Sequence, residues 1–329
     1  MAKIKISISK NLLELLKKDC KDFKILKKDN SPNFNLFINL LVANYYEEFS
    51  AMEENLHNNI YKAIEIAPSR IQETLFHNII KMLSSKQTTS VKDETTTFSF
   101  KPTKVSEKVV LYIENILLKN ESLSSFYRKL FISYASKTKN IRELIIHKEN
   151  CMQILKALKK QTKIAIKLKS GEFIKNASVY AISPSKDELF NYALVYFNKR
   201  NNTIRISTIE IVSILSEKSD IPQENQKFFD IQLNNAVQYT IYNTDSEPVK
   251  VQLTEKGKKL FEKIYLYRPT PTNIEGDIYT FNCSAQQILF YFERFGDSAM
   301  ILSPKKLGIF MRNYYYYAYK AYKKLYYNN

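Results

Sequence analysis

Glycine is scarce in this 329-residue chain, which holds only Gly171, Gly257, Gly276, Gly296 and Gly308. None falls in a G-x-G-x-x-G or Walker-type loop, where closely spaced glycines let backbone amides cradle phosphates, so nucleotide hydrolysis and a Rossmann-type cofactor are not expected. Histidine is equally thin: His57, His77 and His147 stand far apart on predicted helices and show no ligand spacing. The cysteines Cys20, Cys151 and Cys283 are odd in number and scattered, which suggests neither a disulfide framework nor a zinc cluster. Carboxylates are plentiful, but no pair has surroundings that would drive two pKa values apart for acid–base work. The expectation is a protein with no catalytic site, metal or cofactor. No apolar run approaches the roughly 20 residues a membrane span needs, and the N-terminal segment has no signal-peptide core or cleavage site. A reducing cytoplasm is the expected compartment.

What the chain has in excess is positive charge. Against 33 Asp and Glu stand 50 Lys and Arg, a formal net charge of +17. Such an excess favours a polyanion, nucleic acid or an acidic membrane surface, although lysine spread for solubility gives the same sum. With 44% hydrophobic residues the chain is long enough for two or three cores, so a folded multidomain protein is expected.

The order of elements in the N-terminal part occurs twice. Lys3-Ile4-Lys5-Ile6-Ser7-Ile8-Ser9 alternates polar and apolar residues, then come a leucine-rich helix (Leu12, Leu13, Leu15, Leu16) and a second helix opening at Ser31-Pro32-Asn33. Thr97-Phe98-Ser99-Phe100-Lys101 repeats the alternation, followed by helices from near Ser106 and at Ser122-Leu123-Ser124. A lone short strand leaves its backbone groups unpaired, so the two strands are expected to pair with each other. The period of two puts Ile4, Ile6, Ile8, Phe98 and Phe100 on one face and Lys3, Lys5, Ser7, Thr97, Ser99 and Lys101 on the other. A short, polar, cationic ribbon of that kind suits a major groove.

This pattern resembles the ribbon-helix-helix fold, with both halves in one chain. The resemblance implies that the ribbon reads bases and that the start of each second helix holds a backbone phosphate. The matching positions are Asn30, Ser31 and Asn33 in the first copy and Asn120, Ser122 and Ser124 in the second. Free amides and the helix dipole suit an anion there. Taken singly, each of these residues is better read as an ordinary N-cap, and the repeated order of elements is what raises the phosphate reading.

Between the copies, residues 50–84 read as two helices separated by Pro68, and residues 85–96 as a polar, mobile connector. Ile141 to Lys160 reads as one long helix. From about Thr162 the apolar period changes to two, and four or five short strands argue for a small antiparallel barrel. The strands around Gly171, Pro184, Asn191-Tyr192-Ala193 and Ile204-Arg205-Ile206-Ser207-Thr208-Ile209 resemble a WYL domain, an Sm-like or SH3-like barrel. Of the family's Trp-Tyr-Leu only the tyrosine stands here, and Thr208 takes the place of a second arginine. The resemblance implies a pocket for nucleic acid or a nucleotide-like ligand at Tyr192 and Arg205, with Lys167 and Tyr196 as neighbours. Threonine cannot replace the bidentate phosphate recognition of arginine. Tyr192 is read evenly as a core filler or a ligand contact; for Arg205 a pocket role is favoured, because Ile204 and Ile206 claim the opposite face.

The last hundred residues are similar to the C-terminal extension of WYL proteins, on Val249 to Gly257, Tyr267-Arg268-Pro269, Tyr291-Phe292-Glu293-Arg294-Phe295-Gly296 and Ile301-Leu302-Ser303-Pro304. That similarity implies a homodimer. The closing helix, with Tyr314 to Tyr317, Tyr319, Tyr322, Tyr326 and Tyr327 among Arg312, Lys320, Lys323 and Lys324, reads either as a stacking surface for single-stranded bases or as a dimer seam, the family favouring the seam.

The expected architecture is α+β and multidomain. It comprises a ribbon-helix-helix-like module over 1–140 (copies about 1–50 and 95–138, helical insert 51–84) and a linker helix over 141–160. The WYL barrel follows over 161–218 and the extension over 219–329. The expected function is that of a non-enzymatic, ligand-responsive nucleic-acid-binding regulator. The same arrangement also looks like accessory proteins of RNA-targeting type VI CRISPR effectors, whose partner is single-stranded RNA.

Overall fold

A computed structural model describes residues 2–88, 94–118, 121–242 and 247–327, with side chains throughout except at 84–88 and 327. It is a mixed α+β, multidomain protein that divides into two compact units, Met1–Lys148 and Glu149–Asn329.

The first unit is built on the repeated pattern. Strand β1 (Ile4–Ser9) leads into α1 (Lys10–Asp22), capped by Ser9, whose hydroxyl accepts from the Leu12 amide. Strand β2 (Thr95–Phe100) leads into the short helix α4 (Glu107–Tyr112), which continues through a π-turn to Leu117. The two strands pair antiparallel, Ile6 opposite Phe98 and Ser7 opposite Thr97. Their apolar residues turn inward, where Ile6, Ile8 and Phe100 are buried with Phe37, Tyr127 and Phe131. These last three belong to α2 (Phe34–Ile64) and α5 (Leu123–Ala135).

Three expectations are corrected here. Helix α2 is a single 31-residue helix, so the helical insert continues the first copy's second helix rather than standing apart. No glycine or proline interrupts it before Pro68, after which α3 (Ser69–Thr88) begins. Of the expected connector, residues 85–88 belong to α3 and Thr95 and Thr96 to β2, opposite Ser9 and Ile8; residues 89–93 lie outside the described residues. The expected long helix after Ile141 is broken. Helix α6 (Lys139–Ile146) stops at His147, which leaves helical geometry and places its Nε2 3.0 Å from the Phe23 carbonyl, and α7 (Lys148–Lys160) follows.

A buried ion pair ties the helices of this unit together. Asp19 of α1 is 1% exposed and receives both Nε and Nη2 of Arg142, at 2.7 and 3.1 Å, together with the Tyr134 hydroxyl at 3.0 Å. Burial and the neighbouring carboxylate hold the Tyr134 hydroxyl well above its usual pKa. At the next residue, the Cys20 thiol is buried against the Ile25 carbonyl, and burial pushes it up to about 11. Thiolate is the reactive form, so Cys20 is expected to resist iodoacetamide in the native protein at pH 8 and to be alkylated on unfolding, as read by mass spectrometry.

In the second unit five antiparallel strands follow one another: β3 (Thr162–Leu168), β4 (Phe173–Pro184), β5 (Asn191–Phe197), β6 (Arg200–Arg205) and β7 (Ile209–Lys218). Their order in the sheet is β6-β5-β4-β3-β7, so consecutive strands β6 and β7 lie at opposite ends. A flat five-stranded sheet would hold them roughly 19 Å apart, whereas the three-residue 3-10 turn Ile206–Thr208 that joins them reaches about 10 Å. The sheet must curl into a barrel. Helix α8 (Gln223–Asn234) packs Phe229 onto it.

The remainder forms a four-stranded sheet in the order β11-β8-β10-β9, from β8 (Val249–Leu253), β9 (Pro271–Glu275), β10 (Ile278–Phe281) and β11 (Ala299–Ser303). Helices α9 (Glu255–Lys263), α10 (Ala285–Phe292) and α11 (Lys305–Tyr327) enclose a core of Val251, Phe261, Phe281, Tyr291 and Phe292. Gly257 lets α9 approach the turn before β11, since a Cβ there would stand 2.1 Å from the Ser298 carbonyl oxygen. Gly257→Ala must push backbone against backbone. It is expected to destabilise this unit by about 1–3 kcal/mol, read as a lower urea midpoint with unchanged slope.

Candidate nucleic-acid interface

The pairing of β1 with β2 brings the expected ribbon residues together. Lys5 lies opposite Ser99 and Ser7 opposite Thr97, with Lys3 and Lys101 just beyond the paired residues. Lys3, Lys5, Thr97, Ser99 and Lys101 are exposed and Ser7 is half-buried. Among the described residues, none of the three lysines has an acidic partner within ion-pair distance. Lys10 at the other end pairs with Glu94 at 3.0 Å.

The helices hold this ribbon in register. Asn35 of α2 receives the Lys101 amide at 2.8 Å and donates to its carbonyl at 3.1 Å; buried Asn39 donates to the same carbonyl and accepts from the Thr103 amide and the Ser106 hydroxyl. Lys101 is therefore fixed at the backbone while its side chain stays outside. Arg128 of α5 was not foreseen: its Nε donates to the Ser7 carbonyl at 2.8 Å, adding an exposed cation beside the ribbon. No local signal marks it, because the partners lie 121 residues apart.

The expected phosphate positions divide. Asn33 caps α2 by accepting from the Leu36 amide, and Ser122 caps α5 by accepting from the Ser125 amide. Each uses its side-chain oxygen as a cap, as these residue types prefer. Ser124 lies in the first turn of α5. Ser31 is diverted: its hydroxyl and amide both bond to Asp29, which lowers that carboxyl's pKa and sets a negative charge beside the start of α2. Asn30 has a positive φ of 62°, and Asn120 lies outside the described residues. In the second copy, Leu123 at the start of α5 lines one cleft with Lys3, Lys5 and Pro102, and the carboxylate of Glu114 lines it too.

In the barrel, Tyr192 and Arg205 face each other on β5 and β6. Tyr192 fills the core, its ring buried with Leu194, Phe229 and Val237, while its hydroxyl donates to Glu188. The Arg205 guanidinium lies 3.3 Å above the centre of the Phe190 ring, and Ile204 and Ile206 are buried on the other side. Thr208 closes the 3-10 turn by donating to the Arg205 carbonyl at 2.6 Å. Tyr196 packs at the edge of the same cluster. Lys167 is not brought there: it lies on β3, with β4 between it and β5, exposed and paired with Glu210 at 3.0 Å. The hairpin carrying Asp187, Glu188 and Phe190 was missed by the sequence reading. Its carboxylates stand beside Tyr239 and Tyr267; burial, with these neighbours, pushes Tyr239 up to about 12. The Tyr192 hydroxyl is thus already held by a resident carboxylate.

Among the described residues no group of three His, Cys, Asp or Glu side chains is placed to hold a metal ion, and no helix is long and apolar enough to cross a membrane.

A mixed α+β, multidomain chain with a two-stranded ribbon among helices, a small antiparallel barrel and an α+β extension is thus the class the fold defines. Along its whole length this class is similar to a solved structure described as a CRISPR Cas-related protein, with 19% identity, a TM-score of 0.69, and coverage of 99% of this chain and 95% of that one. A second structure, proteasome accessory factor B/C of Arthrobacter aurescens, shares 13% identity over 62% of this chain and 33% of its own, at a TM-score of 0.24. No family model matches the sequence, and no curated protein matches it.

Proposed function

We propose that this protein is a non-enzymatic nucleic-acid-binding regulator whose β1–β2 ribbon enters the major groove of duplex DNA. One observation carries this reading: the pairing sets Lys5, Ser7, Thr97 and Ser99 side by side on the outer face, flanked by Lys3 and Lys101, and among the described residues none of these lysines is ion-paired, although Glu114 lines the cleft beside Lys3 and Lys5. Hydroxyls and lysines reach base edges and phosphates, and a two-stranded ribbon fits the groove. The start of α5, opening on the same cleft as Lys3 and Lys5, serves a backbone phosphate. The barrel, which resembles a WYL domain, acts as the sensor, its ligand displacing Glu188 from Tyr192 to reach Arg205. A homodimer would present two ribbons, and ligand binding would reset their spacing.

A second reading, a single-stranded RNA-binding accessory protein of an RNA-targeting CRISPR system, is favoured by the end-to-end likeness to a CRISPR Cas-related protein. Titration of labelled duplex DNA and single-stranded RNA at rising salt separates the two. Duplex binding lost in a Lys3/Lys5/Lys101 alanine variant supports the DNA reading. Tight RNA binding that survives that variant and fails in Arg205→Ala supports the second.

A further inference from the structure

The last helix leaves the core part-way along its length. Leu307 and Met311 are buried, and the Tyr315 hydroxyl donates to the Glu293 carbonyl at 3.0 Å, anchoring α11 to the extension. From Tyr316 to Tyr326 every residue is exposed. Five tyrosines stand in this stretch, and Tyr317, Tyr322 and Tyr326 are each more than three-fifths exposed. Over the whole of α11 the charged residues are Lys305, Lys306, Arg312, Lys320, Lys323 and Lys324, with no carboxylate among them.

Helix geometry sorts these side chains. At 100° per residue, Tyr319, Tyr322 and Tyr326 share an arc of about 60°, and Arg312, Lys323 and Lys320 occupy the adjacent arc of about 80°. A ladder of rings therefore runs beside a row of cations. Tyr322 and Tyr326 are near-parallel, at 8°, with centroids 6.4 Å apart. Near-parallel rings present aromatic faces of common orientation, on which successive unpaired bases can stack. On the cationic arc, Lys320 Nζ lies 4.9 Å from the Tyr316 ring centre.

We infer that the exposed half of α11 binds single-stranded nucleic acid, with bases on Tyr319, Tyr322 and Tyr326 and the backbone along Arg312, Lys320 and Lys323. Charge complementarity selects the occupant, since a surface with only cations suits a polyanion and its rings suit unpaired bases. A second copy of this helix would bring the same lysines against each other. The site is built from other residues than the ribbon and the barrel strands and stands independently of the duplex reading.

The test uses the full chain in three forms: wild type, Tyr319→Leu/Tyr322→Leu/Tyr326→Leu, and Lys320→Ala/Lys323→Ala/Lys324→Ala. Each is titrated with uridine-rich single-stranded RNA, thymidine-rich single-stranded DNA and duplex DNA, and each is sized by sedimentation equilibrium. Leucine keeps the apolar surface but not the stacking. The tyrosine variant is expected to lose about a hundredfold in single-strand affinity, at about 1–3 kcal/mol per stacked base. The lysine variant is expected to weaken binding and to flatten the salt dependence by about two. Duplex affinity stays unchanged in both. The inference is overturned if wild type binds neither single strand, or if the tyrosine variant binds within twofold of wild type. It is also overturned if the lysine variant binds as wild type while the tyrosine variant alone loses self-association, which would make the exposed half of α11 a dimer seam through Ala318, Tyr322 and Leu325. Loss of duplex binding alone would defeat the ribbon reading and leave this one standing.

Discussion

Replacing Lys3, Lys5 and Lys101 together by alanine is expected to weaken duplex binding by about a hundredfold at physiological salt and to flatten the slope of log affinity against log salt by nearly three. The figure follows from counterion release: each phosphate neutralised on duplex DNA contributes roughly 0.9 to the slope, which at 0.15 M salt is about fivefold in affinity per lysine. These side chains are exposed and outside the core, so the variant should fold as wild type does. Ser7→Ala and Thr97→Ala act differently. They sit opposite each other at the middle of the ribbon, where a lost base contact relaxes preference between sequences by about 1–3 kcal/mol while the salt slope holds. Anisotropy titrations over a range of salt, with matched and shuffled duplexes, distinguish the two effects.

Asp19→Ala is expected to be the most damaging single substitution in the first unit. It strands the Arg142 guanidinium, whose side chain is 12% exposed, and leaves the Tyr134 hydroxyl without its acceptor. Removing one partner of a buried pair costs about 3–5 kcal/mol, because the other charge stays in a low-dielectric interior. For a unit of this size that corresponds to a fall of roughly 10 °C in Tm. Arg142→Ala should cost a similar amount, since it also takes a donor from the Lys137 carbonyl. The combination Asp19→Leu, Arg142→Met and Tyr134→Phe should recover most of the loss. Well-packed apolar side chains often match a buried ion pair in stability. Thermal and urea melts of the set measure it.

The parts of this fold that were legible in the sequence are those specified by neighbours along the chain. Alternation over residues 3–9 and 97–101 identified the strands, and one buried face fixes their register, because a slip of one residue would turn Ile6 and Phe98 outward. The barrel strands were visible for the same reason. Contacts between distant residues were not. Arg128 on the Ser7 carbonyl, Asn35 and Asn39 around Lys101, and Arg142 on Asp19 join positions 62 to 123 apart, and each residue type is at home on an ordinary helix surface. His147 breaks a helix that local propensity would continue, and its ring lies against the Phe23 carbonyl. Ser31 had the right residue type for a helix start, but Asp29 two positions earlier took its hydroxyl. In the barrel, Tyr192 and Arg205 lie opposite each other on neighbouring strands, while Lys167, read as a neighbour on a nearby strand, belongs to a strand two places away.

The ribbon's role is tested most directly by placing a photo-crosslinking residue at Thr97, in the middle of the exposed face, and another at Ile66, 96% exposed beyond the end of α2. Each full-length protein is irradiated with labelled duplex DNA at low and at physiological salt. The account predicts a crosslink from position 97 that competitor duplex removes, and none from position 66. Duplex bound tightly with no crosslink at position 97 would contradict it.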